Sequence, residues 1–194
     1  MIKLSRKLDM LMKELKKTSA ETFFHCLRTK KYTCALINVL NSAGVTDYSP
    51  DEIDTICKGA MLHDLGKLKV RNYILTKDEY LTDEEKQDIH KHAQWSYEIV
   101  KDELEDYEHD VVCDICRYHH ERIDGSGYNS MNDLPLYVQI VSICDVFDAL
   151  SSDRVYRKGF SAEKAFELIR EGKCGMFDNA LIDKFELAME DFME

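Results

Sequence analysis

The stretch Ala60-Met61-Leu62-His63-Asp64-Leu65-Gly66-Lys67 sets a histidine and an aspartate side by side among apolar residues, with glycine and lysine close behind. That order suits metal-assisted chemistry. A neutral imidazole and a carboxylate can hold one divalent cation, the second carboxylate oxygen can bridge to another, and a lysine one turn later can meet an anionic substrate. A His-Asp pair in an apolar helix is also commonly an internally satisfied polar pair, so further ligands must come from elsewhere in the chain. They occur in order: Glu21 and His25 four residues apart, His92 after an acidic helix start, the doublet His119-His120, and Asp145 inside the apolar run from Val138 to Phe147. Singly, each has a plain reading as a surface pair or a packed histidine. Together they put hard and borderline ligands on separate helices. Asp145 weighs most, because a carboxylate in that run would protonate unless a cation or partner held it ionised.

The elements that must carry these residues read as helices. Two prolines in 194 residues, long spacings of the 3.6 type and few glycines outside Gly125 and Gly127 leave little room for a sheet. Ile2, Leu4, Leu8, Leu11, Met12 and Leu15 make one face of a basic amphipathic first helix over 1–18, suited to packing, dimerisation or a membrane surface. A second helix starts near Ser19, whose hydroxyl can cap it, and carries Glu21 and His25 in its opening turns. Ser49-Pro50-Asp51-Glu52 opens the helix that ends in His63-Asp64, and Thr82-Asp83-Glu84-Glu85 opens the next in the same manner. Residues 134–151 alternate like a strand at Leu134, Leu136, Val138 and Ile140, but their length favours helix. The expected fold is all-α, a helical bundle in a single domain.

Composition narrows the partners. A formal net charge of -11 argues against duplex nucleic acid, whereas a small phosphodiester can be met by the positive charge of bound ions in an otherwise acidic protein. A hydrophobic content of 44% is enough for a real core, no apolar stretch approaches eighteen residues, and no signal-peptide pattern is present, so a cytoplasmic protein without a transmembrane segment is expected. Seven cysteines, an odd number scattered over helical positions, point to reduced thiols. Cys113-Asp114-Ile115-Cys116 has redox spacing but lies in a helical run with no preceding strand. The charged run from Lys101 to Asp110 reads as a solvated helix end and connector, and His90 and His109 as polar-surface histidines.

Several blocks taken together resemble the HD-GYP domain, a subgroup of the HD-superfamily metal-dependent phosphohydrolases. They are His63-Asp64-Leu65-Gly66-Lys67, the connector Ile74-Leu75-Thr76-Lys77 through Leu81-Thr82-Asp83-Glu84-Glu85, His119-His120-Glu121-Arg122-Ile123-Asp124-Gly125-Ser126-Gly127-Tyr128, and the two later segments Asp145 to Lys158 and Gly175-Met176-Phe177-Asp178. The likeness covers about Glu21 to Phe185, so residues 19–194 are expected to form an HD-GYP-like metal-dependent phosphohydrolase domain. It implies hydrolysis of cyclic di-GMP to linear pGpG, GMP or both, by attack of a metal-bridging hydroxide. It also implies Asp64 as the bridge between two ions, His25, His63, His92, His119, His120 and Asp145 as further ligands, and Glu21, one turn before His25, as the residue that brings in a third ion. Neighbouring His119 and His120, about 100 degrees apart on a helix, are expected to serve different ions. A nitrogen and oxygen ligand set favours iron or manganese, with nickel, cobalt, zinc or magnesium as alternatives. By the same resemblance Lys67 meets the phosphate or assists the leaving group, Arg154 and Arg157 bind phosphate and guanine, and Tyr128 stacks on a base.

One position departs from the family pattern. Asn129 stands where the signature calls for proline, and an asparagine costs more entropy to order than a ring-locked residue, so a mobile or reshaped lip over the site is expected. The departure leaves room for another cyclic dinucleotide or nucleotide as substrate. A catalytically weak signalling or scaffold domain is the reading from a different class, and a homodimer or a regulatory partner meeting the first helix is the expected means of control.

Overall fold

A computed structural model describes residues 3–77, 79–129, 131, 133–153 and 158–192. The chain runs through α1 (Arg6–Thr18), α2 (Ala20–Ser42), α3 (Pro50–Leu62), a 3₁₀ turn at Leu65–Lys69, and α4 (Asn72–Leu75). It continues with α5 (Asp83–Val100), α6 (Asp106–Tyr118), α7 (Leu136–Ser151), α8 (Ala162–Arg170) and α9 (Asn179–Phe192). Among the described residues there is no strand, only an isolated bridge between Lys173 and Gly175. The all-α expectation holds.

Local chemistry sets the helix starts. Ser19 caps α2 by accepting from Thr22 N, while its own N–H closes α1 on Leu15 O. Both acidic start signals form full capping boxes, Ser49 with Glu52 on α3 and Thr82 with Glu85 on α5. α7 is a helix although its sequence alternates. Every residue from Val138 to Asp145 is buried, and a helix apolar on all sides carries no clear period to read.

α2 is the centre of the packing, in contact with α1, α3, α7 and α9. Two apolar clusters result. The larger joins Leu36, Ile37 and Leu40 of α2 to Ile56 and Ala60 of α3, the buried run of α7, and Phe166, Phe185 and Phe192 of α8 and α9. The smaller lies under α1, where Leu8, Met12 and Leu15 meet Met61, Leu62 and Leu65 at the end of α3 and the 3₁₀ turn. The apolar face of α1 is thus spent on the body of the protein. Ser5 and Lys7 fasten the helix further, to Glu103, at 3.0 and 2.8 Å.

Two expectations are corrected. A disulfide joins Cys34 of α2 to Cys57 of α3, so not all seven thiols are reduced. These helices pack side by side and bring the two Cα atoms to 6.1 Å, within bridging range, a proximity that cysteine spacing alone does not reveal. Within the charged run, Glu108 is buried against Lys58 of α3, whose ammonium donates to it, so that part of the run is a packed ion pair and not a solvated face.

Candidate metal centre

Five elements converge where the two apolar clusters meet. His25 comes from the second turn of α2, His63 and Asp64 from the end of α3, His92 from the middle of α5, His119 and His120 from the end of α6, and Asp145 from α7. All but the partly buried His120 are buried.

The histidines share one orientation. His63 Nδ1 donates to Ala60 O (2.7 Å), His92 Nδ1 to Ile89 O (2.6 Å), and His119 Nδ1 to the carbonyls of Ile115 and Cys116 (3.1 Å each). A carbonyl only accepts, so the proton is assigned to Nδ1 and each Nε2 turns inward with its lone pair. His25 is held in the same sense by Asp148, whose Oδ2 lies 2.7 Å from Nδ1 while Arg28 grips both Asp148 oxygens at 2.6 and 2.9 Å. Such outer partners fix tautomer and ring plane around a metal site.

What the Nε2 atoms meet is each other. His92 Nε2 is 3.2 Å from His119 Nε2 and 3.1 Å from His120 Nε2, and it is 3.1 Å from Asp64 Oδ1. With the Nδ1 protons assigned as above, His92 and His119 face one another acceptor to acceptor. On the other side His25 Nε2 is 2.9 Å from Asp145 Oδ1 and 3.6 Å from Asp64 Oδ2, and His63 Nε2 is 3.5 and 3.7 Å from Asp64 Oδ2 and Asp145 Oδ1. His63 Nε2 and Asp64 Oδ1 are buried and make no hydrogen bond. Orphaned acceptors at this depth are costly, and a divalent cation satisfies them together. His92, His119 and His120 form one group close enough to hold an ion, and His25, His63 and Asp145 form another, with Asp64 between them. The residues fit divalent metal ions.

Electrostatics agrees. Burial disfavours the Asp64 carboxylate, but Lys67, His63 and His92 outweigh it and hold its pKa well below the usual range. Asp145 is held down in the same way, against burial, by His25 and His63. Burial, helped by neighbouring imidazoles, pushes His119 and His120 well down, so both stay neutral. His25 differs. Burial again opposes its charge, yet hydrogen bonds to Asp145 and Asp148 raise it to about 9.

Lys67 stands on the 3₁₀ turn, partly exposed, with Nζ 2.5 Å from Asp64 Oδ2. Gly66 before it lets that turn press onto α5. Its N–H donates to Ser96 Oγ at 2.8 Å, and a Cβ there would sit 2.1 Å from His92 O. Glu21 is half-buried in the first turn of α2 and lies in none of these groups, its charge reaching Arg28 instead. Arg154 and Arg157 fall outside the described residues.

Three features differ from what the sequence suggested. α6 ends at Tyr118, so His119 and His120 leave the helix and turn their rings toward the same partner, His92, instead of diverging. The lip at Asn129 is tied down. Its N–H donates to both oxygens of buried Glu121 at 3.0 and 3.1 Å and its side-chain amide adds a bond of 2.9 Å, the first of which a proline could not make. Tyr128 is already stacked on both faces, by His120 (centroids 4.5 Å apart) and by His90 (3.9 Å), so its ring does not await a base.

Sequence reasoning also missed several supports. Asp148 orients His25; Arg122 is buried, donates to His119 O, Ser142 Oγ and Cys174 O, and lies 4.9 Å from the Phe177 ring. Spacing alone could have raised Asp148, three residues beyond Asp145 on the same helix face. Cys26 lies beside His63 and Asp64, but burial pushes its thiol well up, so it sits there as a neutral neighbour of the carboxylate. The redox-spaced pair does not bond: Cys113 and Cys116 are both free, with burial lifting the Cys113 thiol to about 11.

Comparison with known proteins places this arrangement. The HD domain model matches residues 22–150. A probable cyclic di-GMP phosphodiesterase of Vibrio cholerae is 35% identical over 191 residues, covering 90% of this chain and 42% of that protein. The 3'3'-cGAMP-specific phosphodiesterase 2 of the same organism is 31% identical, covering 91% of this chain and 32% of its own length. A solved HDG"Y"P protein from Bdellovibrio bacteriovorus shares the fold with a TM-score of 0.63 at 20% identity, over 84% of this chain and 51% of that one. This chain therefore spans about half or less of the length of these relatives. With the family model matched over most of its length, and with the paired His63-Asp64 at the meeting point of five helical elements, the chain belongs to the HD domain family.

Proposed function

We propose that this chain is a metal-dependent phosphodiesterase that hydrolyses cyclic di-GMP to linear pGpG, GMP or both. The observation that carries the reading is the convergence of buried imidazole Nε2 atoms and carboxylate oxygens on one spot, His63 Nε2 and Asp64 Oδ1 among them making no hydrogen bond. The relatives named as cyclic di-GMP phosphodiesterases supply the substrate. His25, His63 and Asp145 would hold one ion and His92, His119 and His120 a second, with Asp64, set between the two groups, serving both. Glu21 is the residue on which a third ion depends. Bound divalent ions supply positive charge to phosphoryl oxygens and lower the pKa of water from about 15.7 to about 7.

The chain's own groups do the rest. Backbone carbonyls keep the Nδ1 protons of His63 and His92 in place, so these rings would present Nε2 to an ion as they stand, while His25, oriented by Asp148, would first give up a proton. Lys67, anchored on Asp64 and open to solvent on one side, directs positive charge at an arriving phosphodiester. Arg154 and Arg157 are assigned to phosphate and guanine by resemblance. The donor set is nitrogen and oxygen, since Cys26 keeps its proton, and this favours iron or manganese. No helix among the described residues is long and apolar enough to cross a membrane, and the cytoplasm is the proposed location. With the apolar face of α1 buried, a homodimer or regulatory partner would meet its outward, lysine-bearing face.

The test is anaerobic preparation with iron or manganese, followed by metal counting and chromatography of products from cyclic di-GMP. Linear pGpG, GMP or both are expected; a fully loaded protein that leaves cyclic di-GMP intact refutes the reading. The 3'3'-cGAMP-specific relatives make that dinucleotide the second substrate for the same assay. Asp64→Ala should lose metal and turnover together while the helical content stays, and parental turnover in that variant would remove Asp64 from its role. A ratio near two ions per chain in fully active protein would remove Glu21 from the ligand set.

A further inference from the structure

We infer that the outward face of His90 is a stacking surface for a purine base of the substrate. The inference rests on the phosphodiesterase reading for the position of the phosphate. A column of rings leads out of the metal centre: His120 lies against Tyr128 at 29°, and Tyr128 against His90 at 20° with centroids 3.9 Å apart. Tyr128 is the filling of this column and not its end. The outermost ring is His90, which is exposed and sits two residues before His92 on the same helix, so α5 fixes it relative to the cluster.

The column is braced from behind. Tyr128 is followed by Asn129, whose two donors reach the buried Glu121 carboxylate, and Met131 N adds a contact at 3.4 Å. Gly127 passes so close that a Cβ would lie 2.5 Å from Glu121 Cα. Glu121 adjoins His120 in sequence, so the loop and the ligand histidine share one anchor. Freeing Tyr128 would strand a buried carboxylate, which makes the wall preorganised. A flat, fixed, solvent-facing aromatic ring next to a phosphate-binding cluster is what a nucleobase needs, because every base offers a π-face and stacking is insensitive to its edge pattern. Recognition of the base thereby falls to a histidine outside the ligand set, and Tyr128 acts as a positioning residue.

Equilibrium binding separates the base from the phosphate without turnover. Manganese-loaded protein is titrated calorimetrically with GMP and with ribose 5-phosphate, which lacks the base. The parent should bind GMP more tightly. His90→Ala should weaken GMP by about tenfold and change ribose 5-phosphate by less than about twofold, and His90→Phe should restore the preference for GMP. Equal loss for both ligands would mean that His90 acts through its metal-binding neighbours, and unchanged GMP binding would mean no base lies there; either overturns the inference, as does a parent that does not prefer GMP. If the parent fails to cleave cyclic di-GMP yet His90→Ala still loses GMP selectively, the substrate assignment falls and the stacking surface stands.

Discussion

Gly66→Ala measures how closely the 3₁₀ turn must approach α5. A methyl group at Gly66 would lie 2.1 Å from His92 O, 2.5 Å from Ser96 N and 2.9 Å from Ser96 Oγ. Two of these are helix backbone, so no rotamer change relieves them. Restoring ordinary contact moves the turn away by more than about 1 Å. Overpacking of this kind costs about 1–3 kcal/mol, and the stretched Gly66 N–H to Ser96 Oγ bond adds roughly 1 kcal/mol. In a chain of this size a loss of about 3 kcal/mol lowers the unfolding midpoint by about 6–12 °C. The functional cost is sharper, because Asp64 begins the turn and His92 stands on the helix it would leave, and a metal site tolerates only about 0.5 Å of error. Thermal unfolding and manganese affinity, measured on Gly66→Ala, Ser96→Ala and the double variant, resolve the contributions. Ser96→Ala removes only the hydroxyl contact, so it should not rescue the alanine at 66. A Gly66→Ala protein with parental midpoint and parental manganese affinity would refute the close-approach argument.

Two further outcomes follow from buried charge. Lys58→Met leaves Glu108 buried without its ammonium and should cost about 3–5 kcal/mol, read as a lower urea midpoint that Lys58→Met with Glu108→Leu largely recovers; an unshifted midpoint in the single variant would mean the pair is not buried in solution. Metal-free protein holds a proton on His25 at pH 7, since its pKa of about 9 lies above the ordinary value of about 6.5. That raised pKa stabilises the metal-free fold fully below about pH 6.5, and the benefit fades as pH rises through about 9. Ion uptake at pH 7 must displace the proton, so calorimetry in two buffers of different ionisation heat should report net proton release, and none at all would contradict His25 as a ligand.

The candidate ligand residues that converge, Glu21 apart, were legible in the chain because each is chemically conspicuous, above all Asp145 in an apolar run, and the helix starts because Ser49 and Thr82 carry complete capping signals. Less legible was whatever depends on where a helix stops or what faces it. That α6 ends before His119 decides which partner both rings meet, yet no glycine or proline marks the stop within the doublet. Asn129 looked like a loosened lip because its value lies in a donor pointed at Glu121, a relation between two side chains that spacing does not encode. Glu108 looked solvated among its charged neighbours because its partner, Lys58, lies fifty positions away. The Cys34–Cys57 link was hidden for the same reason: two helix faces have to be docked before the sulfurs are neighbours.

The division of the interior into two apolar clusters has a thermodynamic corollary. The candidate ligands are contributed by helices rooted on both sides of the seam, with Asp145 on the buried run of α7 and His63 beside Leu62 and Leu65 under α1. Cations seated there would add cross-links between two clusters that α2, α3 and α6 already join. Stripped of them, the molecule would lose those cross-links while keeping its helices, so the unfolding midpoint, rising with metal concentration, becomes a gauge of how fully the seam is loaded.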